Sequence, residues 1–240
     1  MVISHKYKYV FIETPQTGCS AIRKELIENY GGESILSKHS VYSSFLAIAT
    51  SEEKKYFIFS SIRNPLDKCV SGFLKYKTNH NNRFTNKIDT NWRKVFFQYR
   101  DRIIFKKVVS NDFSFSDYLK IMKPYDDISS LDHRNFGFII RFETLNDDFM
   151  KVLKMLNINP VRNLPIYNPT ATKKDYNVYY TEPETQKFAF KKIAVFMDYW
   201  DYKFPSYFPN YKISFYQKMQ WKVYHVIRIF TWRQVRKRMK

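Results

Sequence analysis

Apolar and polar positions along this chain arrange themselves as strand, turn and helix, and the order repeats. Val10 to Ile12 is an apolar segment without polar alternation, the pattern of a parallel strand buried on both faces. It runs into a polar turn ending at Gly18, after which Ile22, Leu26 and Ile27 recur at helical spacing as far as the Gly31-Gly32 pair. Tyr56 to Ile62 reads as a second strand and feeds a helix from Pro65 toward Tyr76. Residues 78–95, with Asn79, Asn81, Asn82 and Asn86, read as a polar loop or lid. Ser114 to Met122 reads as a helix and Phe138 to Phe142 as the next strand. Asn146 then caps a helix whose core face is Phe149, Val152, Leu153 and Leu156. Residues 157–176, Asn- and Pro-rich, read as an ordered loop over a site. Thr181-Glu-Pro-Glu184 reads as a capping box opening a helix through Phe196. This alternation predicts an α/β fold: a doubly wound parallel sheet flanked by helices, in a single domain without internal repeats.

The pattern changes after residue 215. From Tyr216 to Lys240 there are eight Lys or Arg and no acid. Met219, Val223, Val226, Ile227 and Phe230 fall on one helical face, with Lys218, Lys222, His225, Arg233 and Arg236 largely opposite. That predicts a basic amphipathic helix over 216–240, set apart from a domain over 1–215. Two destinations suit it: an anionic membrane surface, or the domain or a second subunit, onto which Trp221, Tyr224 and the stripe would pack.

Composition adds a direction. The 240-residue chain carries a formal charge of +19, which predicts anionic partners without choosing among nucleotide, acidic glycan, nucleic acid and lipid. Removing the tail's eight positive charges still leaves +11, so the basic character is not confined to the tail. Two cysteines, Cys19 and Cys69, make neither a disulfide framework nor a zinc site. The first residues lack the apolar stretch of a signal peptide, and no run approaches the roughly 20 apolar residues that span a bilayer. A cytoplasmic protein is expected, peripheral to the inner face of a membrane if the tail binds one.

Both polar turns are rich in groups that hold phosphate. At the first, Gly18 lets the backbone approach a bound group, the helix start presents N–H donors, and Thr17 and Ser20 add hydroxyls. An ordinary strand–helix turn with Ser or Thr capping explains the same residues. At the second, Asn64, Pro65 and Asp67 are accounted for as cap, first helical residue and first-turn acid. Arg63 and Ser71 are left over: a guanidinium at a strand end can clamp phosphate, and Ser71 can add a hydroxyl. A surface salt bridge and a bland helix residue are the competing explanations.

Phe11-Ile-x-Thr-Pro-x-Thr-Gly-x-Ser20, followed by Ile62-Arg-Asn-Pro-x-Asp-x-x-Val-Ser71, resembles the carbohydrate sulfotransferases that use 3′-phosphoadenosine 5′-phosphosulfate (PAPS). The similarity continues through Phe138–Phe149, Asn168-Pro-Thr, Tyr179-Tyr-Thr181 and Asp198 before Trp200, over residues 7–204. The resemblance implies a P-loop-like nucleotide-binding fold with PAPS as co-substrate; no metal is expected, since His5, His80, His133 and His225 show no ligand-like spacing. It implies a 5′ loop of Gln16, Thr17, Gly18, Cys19, Ser20 and Ala21, a 3′-phosphate held by Arg63 and Ser71, and further nucleotide contacts from Lys173 and Lys174. Gln16 departs from the family, which usually has lysine there to neutralise the leaving phosphate; Lys38 and Arg23 are candidate replacements. His39 matches a histidine after the first helix in similar uronyl-type enzymes and is the first candidate for general base, with Glu13 second. A satisfied structural histidine is the competing explanation.

Three readings follow. The leading one is a PAPS-dependent sulfotransferase acting on a hydroxyl of a glycan or similar acceptor. The second is a homologue that binds nucleotide without turnover, motivated by Gln16. The third, a basic nucleic-acid-binding protein, lacks any helix-turn-helix, zinc-finger or RNP signature. The absence of G-x-x-x-x-G-K-[ST] disfavours a phosphotransferase.

Overall fold

The computed structural model describes residues 1–87, 92–110, 112–122, 136–166 and 174–237, with side chains left undescribed at 92–94, 96, 97 and 228–237. The described residues fall into two compact units, one built on a sheet and one on helices.

The sheet unit comprises residues 1–64, 126–168 and 219–240. Its strands are β1 (Val2–Ser4), β2 (Tyr9–Ile12), β3 (Glu33–Ser34), β4 (Phe57–Ile62) and β5 (Phe138–Arg141), in the order β3-β1-β2-β4-β5. β2, β4 and β5 are parallel, with Ile12 opposite Ser60 and Ile62 opposite Arg141. β1 and β3 join antiparallel at one edge, so the sheet is mixed rather than wholly parallel. These two edge strands have three residues and two, too few to show a period.

Helices α1 (Cys19–Asn29), α2 (Tyr42–Leu46) and α6 (Leu145–Met155) cover the sheet. Tyr9, Phe11 and Phe59 bury against Cys19, Ile22 and Leu26 of α1 and Phe149, Val152 and Leu153 of α6. Val10, Ile12 and Ile58 bury on the opposite face with Phe45 of α2. Covering both faces is why β2 reads as an unbroken apolar run. Truncating any of these Phe residues to Ala would cost about 3–5 kcal/mol.

The helical unit comprises residues 65–125 and 169–218. It holds α3 (Pro65–Lys77), α4 (Trp92–Val108), α5 (Phe115–Ile121) and α7 (Pro183–Tyr199) around Phe73, Phe115, Tyr118, Tyr180 and Phe208. Tyr180 donates to the Leu66 carbonyl at 2.9 Å and Tyr76 to Asp101 at 3.0 Å. Aromatic rings dominate this core. α8 (Phe215–Lys237) follows.

Some local expectations change. α4 begins inside the expected polar loop. Asn146 does not cap α6, which starts one residue earlier without a side-chain cap; its side chain accepts from the Leu164 amide at 3.1 Å. The Thr181–Glu184 box does not form, although Pro183 opens α7, which runs on to Tyr199. A true capping box pairs Ser114 with Asp117 at the start of α5. Ile27 is exposed rather than core. Residues 160–164 lie fastened to α1 and α6 rather than over a site: the Val161 amide donates to Tyr30 and Arg162 grips Glu25 at 2.9 Å. Residues 167–173 lie outside the described residues. Both cysteines are buried thiols, and burial pushes Cys69 up to about 12. Among the described residues no helix is long and apolar enough to cross a membrane.

Candidate functional site

The carboxyl ends of β2, β4 and β5 deliver three segments to one edge of the sheet: Glu13–Gly18, Arg63-Asn64 and Phe142–Leu145. Hydroxyls zip the first two together. Ser60 donates to the Ile12 carbonyl at 2.6 Å, which leaves its oxygen to accept from the Thr14 hydroxyl at 3.1 Å. Thr17 donates to the Thr14 carbonyl at 2.8 Å and meets Ser61 at 2.6 Å. Thr17 is buried, and its hydroxyl shapes the turn.

The turn ends in two left-handed residues, Gln16 (φ 63) and Gly18 (φ 76). A Cβ on Gly18 would stand 2.7 Å from Leu145 Cδ2, so glycine here serves both the backbone twist and the packing of the third segment. Gly18 is the N-cap of α1 and accepts from the Ala21 and Ile22 amides. Cys19 and Ala21 turn their side chains into the core. The helix start carries no side-chain cap and no acid in its first turn. Its positive end is therefore uncompensated from within the helix, a setting suited to an anion.

Lys38 completes this end: its ammonium donates to Ser20 Oγ at 2.8 Å. Sequence could name Lys38 but not place it. Arg23, the other candidate cation, is committed to Glu13 at 2.7 Å and to Ser34. A cavity of about 240 Å³ opens beside them, lined by Ser20, Arg23, Lys24, Ile27, Glu28 and Lys38.

His39, also left-handed (φ 64), brings Nδ1 to 3.1 Å from the Glu13 carbonyl. A carbonyl only accepts, so Nδ1 carries the proton and Nε2 is the basic nitrogen. Backbone strain of this kind in a non-glycine residue costs about 1–3 kcal/mol and gathers at functional sites. Glu13, the second candidate, is held among cations instead of open to an acceptor. It is fully buried, Oε2 is taken by Arg23 and the Met1 ammonium, and Oε1 is enclosed without a hydrogen-bond partner.

Arg63 crosses from the second segment to the first. Nη1 donates to the Gln16 carbonyl at 3.1 Å, and the guanidinium lies 4.1 Å over the Phe142 ring. Held on a face and at one edge, it presents its fork in a fixed plane. The Asn64 amide is taken by Glu143 at 2.6 Å. The third segment is itself pinned by Asp148, which accepts from the Arg141 amide and Thr144 at 2.9 Å and from Lys151 at 2.8 Å. Burial works to raise the Asp148 carboxyl, but those bonds hold it below the usual carboxylate range.

Gln16, Thr17, Gly18, Ser20, His39 and Arg63 are thus brought to one edge. Ser71 is fully buried on α3 of the helical unit. Lys174 is exposed, and Lys173 lies outside the described residues. Phe142, Glu143 and Leu145 were missed as site-builders. They lie in the resembling stretch, but an apolar-acidic-apolar run after a strand has no signal of its own. Among the described residues no group of His, Cys, Asp or Glu could hold a metal ion.

A family model described as Sulfotransferase family matches residues 1–200. Among solved structures the chain is similar to mouse sulfotransferase SULT7A1, complexed with PAP. Identity is 17% and the TM-score 0.41, with 80% of this chain and 86% of that one covered. No curated protein matches.

Proposed function

Because the chain belongs to the sulfotransferase family, we propose that it moves a sulfuryl group from PAPS to a hydroxyl of a glycan or similar acceptor. The observation that carries this is the start of α1, uncapped and acid-free, with the Lys38 ammonium on Ser20. The donor set fits the nucleotide. The N–H groups of α1 and Lys38 would hold the 5′-phosphosulfate, and Arg63 the 3′-phosphate. PAPS supplies the activated sulfuryl group and a phosphate leaving group.

In transfer, the acceptor oxygen bonds to sulfur, the bond from sulfur to the 5′-phosphate oxygen breaks, and the acceptor proton passes to His39 Nε2. Lys38 offsets charge building on the departing phosphate, the task that Gln16 cannot perform. Such stabilisation matters most in a loose, in-line transfer. The second reading, nucleotide binding without turnover, rests on Gln16 alone; a cation at the same helix start weakens it. The aromatic argument for nucleic-acid binding weakens, since many of those rings pack the cores of the two units.

The test is PAPS turnover with a panel of glycan acceptors, following release of adenosine 3′,5′-bisphosphate. Acceptor-dependent release is expected. Tight bisphosphate binding without release under any acceptor favours the second reading.

A further inference from the structure

We propose that α8 binds the surface of an anionic lipid bilayer, lying in its plane. An amphipathic helix ordinarily turns its apolar face inward. α8 leaves an apolar stripe facing outward. Phe215, Tyr216, Met219, Val223, Val226 and Ile227 are exposed, from 47% at Met219 to 79% at Phe215. Gln217, Gln220, Trp221, Tyr224 and His225 are half-buried. Spacings of three and four residues join the exposed six into one stripe, the kind of contiguous apolar surface that marks an interaction site.

Charge selects the occupant. Residues 216–240 hold eight Lys or Arg and no acid. Lys222 is exposed beside the stripe, as is Lys218, which also stands 3.7 Å from Asp198. A second copy facing this stripe would bring two cationic sets together without a counter-charge. A nucleic acid would use the cations and leave the apolar stripe in water. An anionic bilayer satisfies both: the stripe enters the headgroup–acyl boundary and the cations meet the headgroups. Crossing is not involved, as α8 is too polar to span.

The test uses the full chain and sedimentation with vesicles. Binding to mixed phosphatidylglycerol–phosphatidylcholine vesicles and not to phosphatidylcholine alone is expected. The triple variant Val223→Ser, Val226→Ser, Ile227→Ser alters only exposed side chains and should lower binding well over tenfold. Lys222→Gln should lower it about fivefold at low salt. Circular dichroism of each variant should match the wild type. If the triple variant does lose helix, Lys222→Gln together with the neutral-vesicle control decides. Equal binding to neutral vesicles, or a stripe variant that binds undiminished, overturns the proposal. So does self-association that the stripe variant abolishes, which gives the face to a second copy. Retention on RNA without vesicle binding gives the cations to a soluble polyanion instead.

Discussion

The two strand–helix turns look alike in sequence and differ in how their charge is spent. At the β2–α1 turn nothing in the chain's first helical turn answers the helix dipole, and Lys38 adds a further positive charge on Ser20. At the β4–α3 turn, acids already stand in place: Glu143 holds the Asn64 amide and Asp67 lies in the first turn of α3. A new anion therefore gains from the first turn's backbone, whereas at the second it must rely on the Arg63 side chain. The motifs set a backbone loop apart from an arginine clamp, and named Asp67 as a first-turn acid, but they gave no sign of Lys38 on Ser20 or of Glu143 on Asn64. The difference comes from residues elsewhere in the chain.

Five measurements break or sharpen that contrast. His39→Ala should lower turnover most, roughly 100- to 10,000-fold, with nucleotide affinity little changed. Near-wild-type turnover would leave His39 a structural residue. Lys38→Ala should lower kcat roughly 100- to 1,000-fold, as expected for losing one group aimed at developing charge. A loss confined to KM would move Lys38 from transition state to ground-state binding.

Gly18→Ala combines a left-handed alanine with a clash against Leu145, and should destabilise by about 2–4 kcal/mol in urea unfolding. A smaller effect would mean the third segment yields. Arg63→Ala should weaken adenosine 3′,5′-bisphosphate by about 1.5–3 kcal/mol in calorimetry. The same titration with adenosine 5′-phosphosulfate, which lacks the 3′-phosphate, should show little loss. Equal losses for both ligands would make Arg63 only a brace for the Gln16 carbonyl. Smallest is Gln16→Lys, which should change wild-type turnover by no more than about a few-fold while restoring much of it in Lys38→Ala. Failure to restore would show that the two positions address different atoms.

The central strands were readable because residues buried on both faces leave no polar positions to blur the run. β1 and β3 were not, since three residues and two carry no period. α4 was hidden by the asparagines before it, the cap at Asn146 was misread because the Leu164 amide takes its side chain, and the box at Thr181 because α7 opens at Pro183 with Glu182 as its N-cap. Of the site, the turn residues could be named from motif and resemblance. What each does could not. Thr17 reads as a ligand hydroxyl, and the fold shows it also tying the turn to a neighbouring strand; Lys38 reads as one lysine among many until the fold sets it at a helix start. Long-range pairing of this kind has no local signature.

Phe142 under Arg63, Glu143 on Asn64 and Leu145 against Gly18 make one short segment a shared support for both turns. Thermodynamic linkage gives this a consequence. Any ligand that orders one turn through that support makes the other cheaper to order, and the effect is reciprocal. The two phosphate ends of a nucleotide would then bind with more than their separate free energies. Substitutions at Gly18 and Arg63 would show a non-zero coupling in a double-mutant cycle. The segment after β5 acts in this sense as a common ledger through which one end of the ligand senses the other.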